Sequence, residues 1–179
     1  MTAYLDVCQA IPDDRKSITL VYFDARELSF DDIGIAPRML DAIRDAYRSD
    51  GLTTMETLSD ILIWLARRGF NIRLCVDANV RRRQEAVNSF LRTLSMANSD
   101  GNLTLYERNV IDSDGVQRSM HKKTLITPIY ILGGSANLTY SGTTGSEELD
   151  YHVPFGEDSY LDLCMSCQDT LSASQEFTL

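Results

Sequence analysis

The chain is short of several things at once: two histidines (His121 and His152), one tryptophan, four prolines, four cysteines and fewer cations than anions. No apolar run approaches the roughly 20 residues that a membrane-spanning helix needs. Residues 1–16 have neither a basic start nor a continuous apolar stretch, so no secretory signal is expected and the cytoplasm is the expected location. The cysteines do not form a disulfide framework. Cys8 is isolated, Cys75 sits inside an apolar run and reads as core, and Cys164 and Cys167 make a single CxxC on an expected helix. One such pair without a second is a weak zinc signal, and helix packing at i,i+3 is the plainer reading. No cofactor and no metal are expected.

The charge balance, 17 Lys+Arg against 26 Asp+Glu for a net −9, argues against a protein that coats nucleic acid indiscriminately, since such proteins are basic. It leaves room for a local basic cleft. The positive charge clusters at Arg81-Arg82-Arg83 and at Arg118, Lys122 and Lys123. A solvated helix start is the plain reading of the arginine run, although cations at a helix N-terminus oppose its dipole.

The patterning predicts an α/β fold: a mixed, mostly parallel sheet flanked by helices on both faces. Ser17 to Ala25 is rich in β-branched and aromatic residues and reads as a buried strand. Ile35, Met39, Leu40, Ile43, Ala46 and Tyr47 recur at helical spacing, with Pro37 in the first turn and Ser49-Asp50-Gly51 as the break. Thr53 and Glu56 have capping-box spacing ahead of the stripe Met55, Leu58, Ile61, Leu62 and Leu65, with Trp64 as core or dimer interface. Gly69 closes that helix. Phe70, Ile72, Leu74 and Val76 alternate as a strand ending at Asp77. Val80, Val87, Phe90, Leu91 and Leu94 predict one further helix, and Leu103 to Tyr106 a short strand. Ser113-Asp114-Gly115 is a turn signal. Val116 to Thr127 and Ile129 to Leu132 read as extended chain interrupted at Pro128. Glu148 to Val153 reads as a last strand and Ser159 to Leu171 as a last helix. The whole is expected to be one domain over 1–179, with its core at about 17–171 and a flexible tail from 172 that has little to bury.

The chemistry concentrates in one stretch. It runs Met120-His121-Lys122-Lys123-Thr124-Leu125, then Gly133-Gly134-Ser135-Ala136-Asn137-Leu138-Thr139, then Glu147-Glu148. In an extended segment His121 and Lys123 share a face, and a glycine pair lets backbone approach a bound anion closely. This set can attack a phosphodiester without a metal. His121 is the candidate nucleophile and Glu148 the candidate orienting group on its other ring nitrogen, with Glu147 the competing carboxylate. Lys123, Asn137 and Ser135 are candidate donors to the phosphate oxygens, where charge develops. Lys122, Arg118 and Thr139 are candidate substrate contacts. His152 shares strand parity with Glu148 and Asp150, and a polar packing role is favoured for it.

The order HxK, GSxN and a downstream acid, here His121-Lys122-Lys123, Gly134-Ser135-Ala136-Asn137 and Glu148, closely resembles the phospholipase D superfamily. The segment from Leu65 to Asp77 is similar to that family's helix-to-strand unit, so the resemblance spans roughly residues 17 to 171. Two positions depart from the pattern. The family's aspartate beyond the lysine is replaced in the region Thr127-Pro128, with a gap to Gly134 one residue shorter, and Ser146 stands where an asparagine is common.

The family builds its site from two facing HxK motifs. The resemblance therefore implies a homodimer that pairs His121 with its own copy. It implies a metal-independent phosphodiesterase, first of all a nuclease on DNA. Small single-motif relatives also occur in bacterial defence and DNA-modification systems, including those making 7-deazaguanine in DNA. The HKK, TP and GGSANLTYSG run is closer to these, which makes partner proteins of such a system an expectation. A catalytically weak scaffold subunit and a phospholipase or small-diester phosphotransferase are the alternatives. No membrane association is expected.

Overall fold

In the computed structural model the described residues are 15–30, 37–51, 54–137, 139 and 150–178. Strand β1 (Ser17–Tyr22) is followed by α1 (Pro37–Ser49), α2 (Leu58–Arg67) and β2 (Asn71–Asp77). Next come α3 (Ala78–Arg83), α4 (Glu85–Ala97), β3 (Leu103–Arg108) and a small hairpin of β4 (Val110–Ile111) and β5 (Gln117–Arg118). Then follow β6 (Lys123–Ile126), β7 (Tyr130–Gly134), β8 (Asp150–Pro154), α5 (Asp158–Ser172) and β9 (Gln175–Glu176). Seven strands form one mixed sheet in the order β8-β7-β6-β1-β2-β3-β9. The centre is parallel, β1 on β2 and β2 on β3. The outer strands β6, β7, β8 and β9 join antiparallel.

Alternation along the central strands sorts side chains onto two faces. Ile18 and Leu20 of β1, Ile72 and Leu74 of β2, and Leu103 and Leu105 of β3 stand in register on one face. They pack under Leu62, Leu65 and Ala66 of α2 and Val87, Phe90, Leu91 and Leu94 of α4. Those helical residues recur at three- and four-residue spacing, the stripe that buries one side of a helix. The other face carries a much smaller cluster, Val21, Cys75 and Met120 against Cys167 and Leu171 of α5. Trp64 is buried in the larger core, its Nε1 donating to Asp50 Oδ2 at 2.6 Å.

Three local expectations change. Thr53 lies outside the described residues, and the capping box forms four residues later. Thr57 Oγ1 accepts from the Asp60 amide at 3.3 Å, and Asp60 Oδ2 accepts from the Thr57 amide at 3.0 Å. The helix waits because the preceding segment is extended: Phe30 N donates to Glu56 O and Leu58 N to Leu28 O, each at 2.9 Å. Met55, expected in the helical stripe, is buried from that extended segment. Second, the helix expected over Val80 to Leu94 is two helices, broken at Gln84, whose backbone is extended and whose side chain accepts from Arg26.

Third, the chain beyond 172 is tied down. β9 pairs with Tyr106–Glu107, Phe177 N donates to Leu105 O at 2.8 Å, and the Phe177 ring packs on the larger core beneath the Arg81 guanidinium. The expected interruption at Pro128 is a turn that closes on itself. Thr127 Oγ1 donates to Tyr130 O at 2.8 Å and accepts from Tyr130 N at 3.1 Å, while Thr127 N donates to Tyr130 O at 2.9 Å. The Tyr160 hydroxyl from α5 donates to Thr127 O at 2.6 Å and locks this turn from above.

Burial pushes the Tyr160 phenol up to about 12. An unfolded tyrosine titrates near 10, so the unfolded chain releases this proton first. The corresponding stability is whole below pH 10 and is lost as pH rises from 10 to 12. The urea midpoint should fall over that window, and the fall should be shallower in Tyr160→Phe. Parallel alkaline slopes for the two proteins would contradict the assignment.

Candidate active site

The topology gathers the predicted site at one end of the sheet. β1 and β2 end at Tyr22 and Asp77, while β6 starts there with Lys123 opposite Tyr22. β7 returns antiparallel with Gly133 opposite Thr124, so Ser135 and Asn137 emerge beside His121 and Lys123. β8 begins at the same end, Asp150 opposite Gly134. Glu147, Glu148 and Ser146 lie outside the described residues. In open α/β sheets the carboxyl ends of parallel strands are where loops converge on ligands.

Asp77 fixes this end. It is fully buried, and its Oδ1 accepts from the amides of Asn79 (2.8 Å) and Val80 (3.1 Å), capping α3. Its Oδ2 accepts from the Met120 amide at 2.6 Å. One carboxylate therefore ties β2, the start of α3 and the residue before His121. A buried charge is costly unless it is fully hydrogen-bonded, and these charge-assisted bonds to backbone amides offset that cost. At the end of β1, Asp24 is likewise buried. It accepts from Arg26 Nε at 3.0 Å and Nη2 at 2.6 Å, and Arg26 also donates to Gln84 at the α3–α4 junction.

His121 is exposed, and its ring lies flat on Phe23, with centroids 4.9 Å apart and planes 9° apart. Lys123 Nζ donates to the His121 carbonyl at 3.0 Å and sits 5.6 Å from the same Phe23 ring. Both members of the HxK pair thus rest on one aromatic residue from the end of β1. Phe23 and Asp77 were not singled out by sequence reasoning. The only signals were a carboxylate two residues ahead of Asn79, at capping distance, and one more aromatic at the end of a buried strand.

The remaining candidates separate. Asn137 has its Oδ1 buried and, among the described residues, without a hydrogen-bond partner, the kind of unsatisfied atom that calls for an explanation. Ser135 is exposed at the strand end, and Thr139 is buried. Lys122 points away: Nζ donates to Ser166 O (2.7 Å), Ser166 Oγ (2.8 Å) and Thr170 Oγ1 (3.1 Å) of α5, which uses all three of its protons. Its ammonium thus lies against α5 and not beside the His121 ring. Arg118 sits on the β4–β5 hairpin with Nε donating to Asp112 Oδ2 at 2.8 Å. The Val116 amide and the Arg118 guanidinium together hold the Asp112 carboxyl below its usual range.

The arginine run lies in the last turn of α3, where cations complement the helix dipole, so the helix-start reading is reversed. Arg81 pairs with Glu107, while Arg82 and Arg83 are exposed. The expected anion-cradling role of the glycine pair is joined by a steric one: a Cβ on Gly133 would overlap the Tyr151 phenol. His152 is exposed and packs at 5.0 Å against the Tyr130 ring. Burial raises the thiols of Cys164 and Cys167, and takes Cys75 to about 11, so all three stay protonated near neutral pH.

Residues 39–154 match the family described as cardiolipin synthase, PLD-like domain. The fold is similar to Nuc from Salmonella typhimurium, a phospholipase D family member (15% identity, TM-score 0.60, 99% of this chain and 91% of that one). It is also similar to NucT from Helicobacter pylori (13% identity, TM-score 0.59, 98% and 91%). The phosphatidylserine synthase of Haemophilus influenzae shares the fold at 15% identity and TM-score 0.53, covering 91% of this chain and 34% of that one. No curated protein sequence matches the chain significantly. Among the described residues no helix is long and apolar enough to cross a membrane.

The Asp77 clamp makes a specific expectation. Asparagine has one acceptor oxygen for two directions and turns an amide toward an amide on the other side. Asp77→Asn should therefore lose about 1–3 kcal/mol in urea unfolding, the cost of an unsatisfied buried donor. The Met120 amide should lose hydrogen-exchange protection. Unchanged protection at Met120 would show that the clamp does not hold the His121 segment.

Proposed function

The chain belongs to the phospholipase D superfamily, and from that membership and the grouping at the ends of β1, β6 and β7 we propose a metal-independent phosphodiesterase acting on DNA through a phosphohistidine at His121. The observation that carries the reading is the convergence itself. One exposed imidazole is held flat on Phe23, with the Lys123 ammonium donating to the His121 backbone carbonyl and the Ser135–Asn137 loop emerging from the adjacent strand.

In the proposed reaction one ring nitrogen of His121 attacks phosphorus and forms the P–N bond. The P–O bond to the leaving strand breaks, and the departing oxygen takes a proton from the His121 imidazole of a second copy of the chain. Water then attacks the phosphohistidine, giving its proton back to that second imidazole, and the P–N bond breaks to free the first. One histidine cannot be nucleophile and acid in the same step, which is why the site is proposed to be shared across an isologous homodimer. The reaction requires one ring neutral as nucleophile and the other carrying the proton that it gives to the leaving oxygen.

Lys123, Asn137 and Ser135 are assigned to the non-bridging oxygens, where fixed donors do most of the work in phosphoryl transfer. Glu148 is assigned to the proton on the far ring nitrogen of the nucleophile. Phe23 is assigned to holding the imidazole plane for in-line attack. The exposed Arg82 and Arg83, one helix turn beyond the Asp77 clamp, supply a local cationic track for the phosphate backbone on a chain whose net charge is −9. Service within a multi-protein DNA-modification or defence system belongs to the same reading, on the HKK, TP and GGSANLTYSG run.

Purified protein should nick plasmid in EDTA, with activity falling steeply as salt rises, and His121→Ala should abolish it. Loss of plasmid cleavage with retained turnover of a phosphatidyl substrate would move the assignment to lipids. Equal activity in His121→Ala, or a monomer by sedimentation equilibrium at assay concentration, would defeat the proposal. Phe23→Leu should lower kcat by about tenfold or more with little change in KM. In the same variant the His121 ring protons should lose the upfield ring-current shift visible by NMR, a readout that does not depend on turnover.

A further inference from the structure

At the opposite end of the sheet from His121, on the face covered by α5, lies a cavity of about 360 Å3. Among its lining residues are Arg15, Thr19, Arg73, Ile126, Phe155 and Met165. Thr19 precedes Tyr22 by three residues, about 10 Å along a strand at ~3.3 Å per residue, so this space is separate from the site above. Its size falls within the range of small-ligand pockets.

Its charge is unusual for this chain. Arg73 stands mid-strand on β2, in register between Thr19 of β1 and Thr104 of β3. It faces α5, where Nη1 donates to Gln168 Oε1 at 2.8 Å, and its Nε is buried with no hydrogen-bond partner. Arg15 donates from Nη2 to Pro128 O at 3.2 Å, with its guanidinium 4.4 Å over the Phe155 ring. Among the described residues no aspartate or glutamate lines the cavity, and neither guanidinium has a carboxylate within 4.0 Å. In a protein with 26 acidic residues, two guanidiniums share one recess that no carboxylate of the described residues enters. Arg15 is exposed, while Arg73 is half-buried with its Nε enclosed, and an anion reaching Arg73 would give that donor a partner. Guanidinium forks match carboxylate and phosphate geometry. Ile126, Phe155 and Met165 supply apolar wall, while Ser17, Thr19 and Gln168 are neutral polar members of the lining.

We propose that this cavity binds a small organic anion, its charged head on Arg15 and Arg73 and its apolar body against Ile126, Phe155 and Met165. The site is independent of the phosphodiesterase reading. Calorimetric titration of the full chain with octanoate and with phenyl phosphate tests it, using octanol and inorganic phosphate as the halves of the ligand. At least one of the two amphiphilic anions should bind saturably, one per chain, and at least about tenfold tighter than either half. Arg73→Met and Arg15→Met should each weaken that binding by about tenfold or more, and His121→Ala should leave it unchanged.

Met165→Glu, at a solvent-exposed position of α5, should also weaken it by setting a carboxylate at the mouth, without disturbing the fold. Far-UV circular dichroism confirms folding of each variant. Octanol binding as tightly as octanoate would identify a plain apolar void and overturn the proposal. So would the absence of saturable binding by both anions to about 10 mM, or binding abolished by His121→Ala.

Discussion

Everything at the functional end of this protein hangs from the Asp77 carboxylate. It is wholly buried, and it accepts hydrogen bonds from the backbone of Asn79, Val80 and Met120. These bonds fasten a central parallel strand to the helix after it and to a segment 43 residues further along the chain. The residue after Met120 is His121, so its backbone position is set by the sheet rather than by a loop. A side chain placed from rigid elements keeps its geometry, and here the placing atom is a buried charge whose bonds all go to backbone.

The two faces of the sheet do different work. The face under α2 and α4 carries the large aliphatic core and supplies most of the apolar burial. The face under α5 has a small cluster, three protonated thiols and a recess with two arginines. Lys122, the middle residue of the HxK triplet, reaches across to α5 and holds that helix through Ser166 and Thr170. Adjacent residues on an extended segment point opposite ways. The same three-residue stretch therefore presents His121 to the site and anchors the opposite layer.

Much of this was legible from the residues. The buried strands through Leu20 and Leu74, the helix closed by Gly69 and the HxK and GSxN segments all carry strong local signals: alternation, a left-handed glycine and a rare histidine beside a lysine. Less visible was anything that depended on a partner far along the chain. The late start of α2 follows from Met55, Glu56 and Thr57 lying extended against residues 28–30. The break at Gln84 follows from Arg26, and the anchoring of Phe177 from an open edge of β3. The direction of Lys122 follows from where α5 packs.

Sequence by itself determined the family-like motif, the mixed α/β architecture and the identity of the only histidine with a lysine two residues on. Those rest on residue type and spacing, which the chain carries locally. Tertiary structure alone decided that Phe23 lies under His121, that Asp77 holds Met120 and that Arg15 and Arg73 share a cavity. Stacking, a hydrogen bond across 43 residues and charge clustering are properties of distances in space. Such distances are set by strand register and layer packing, which no local pattern of residues encodes.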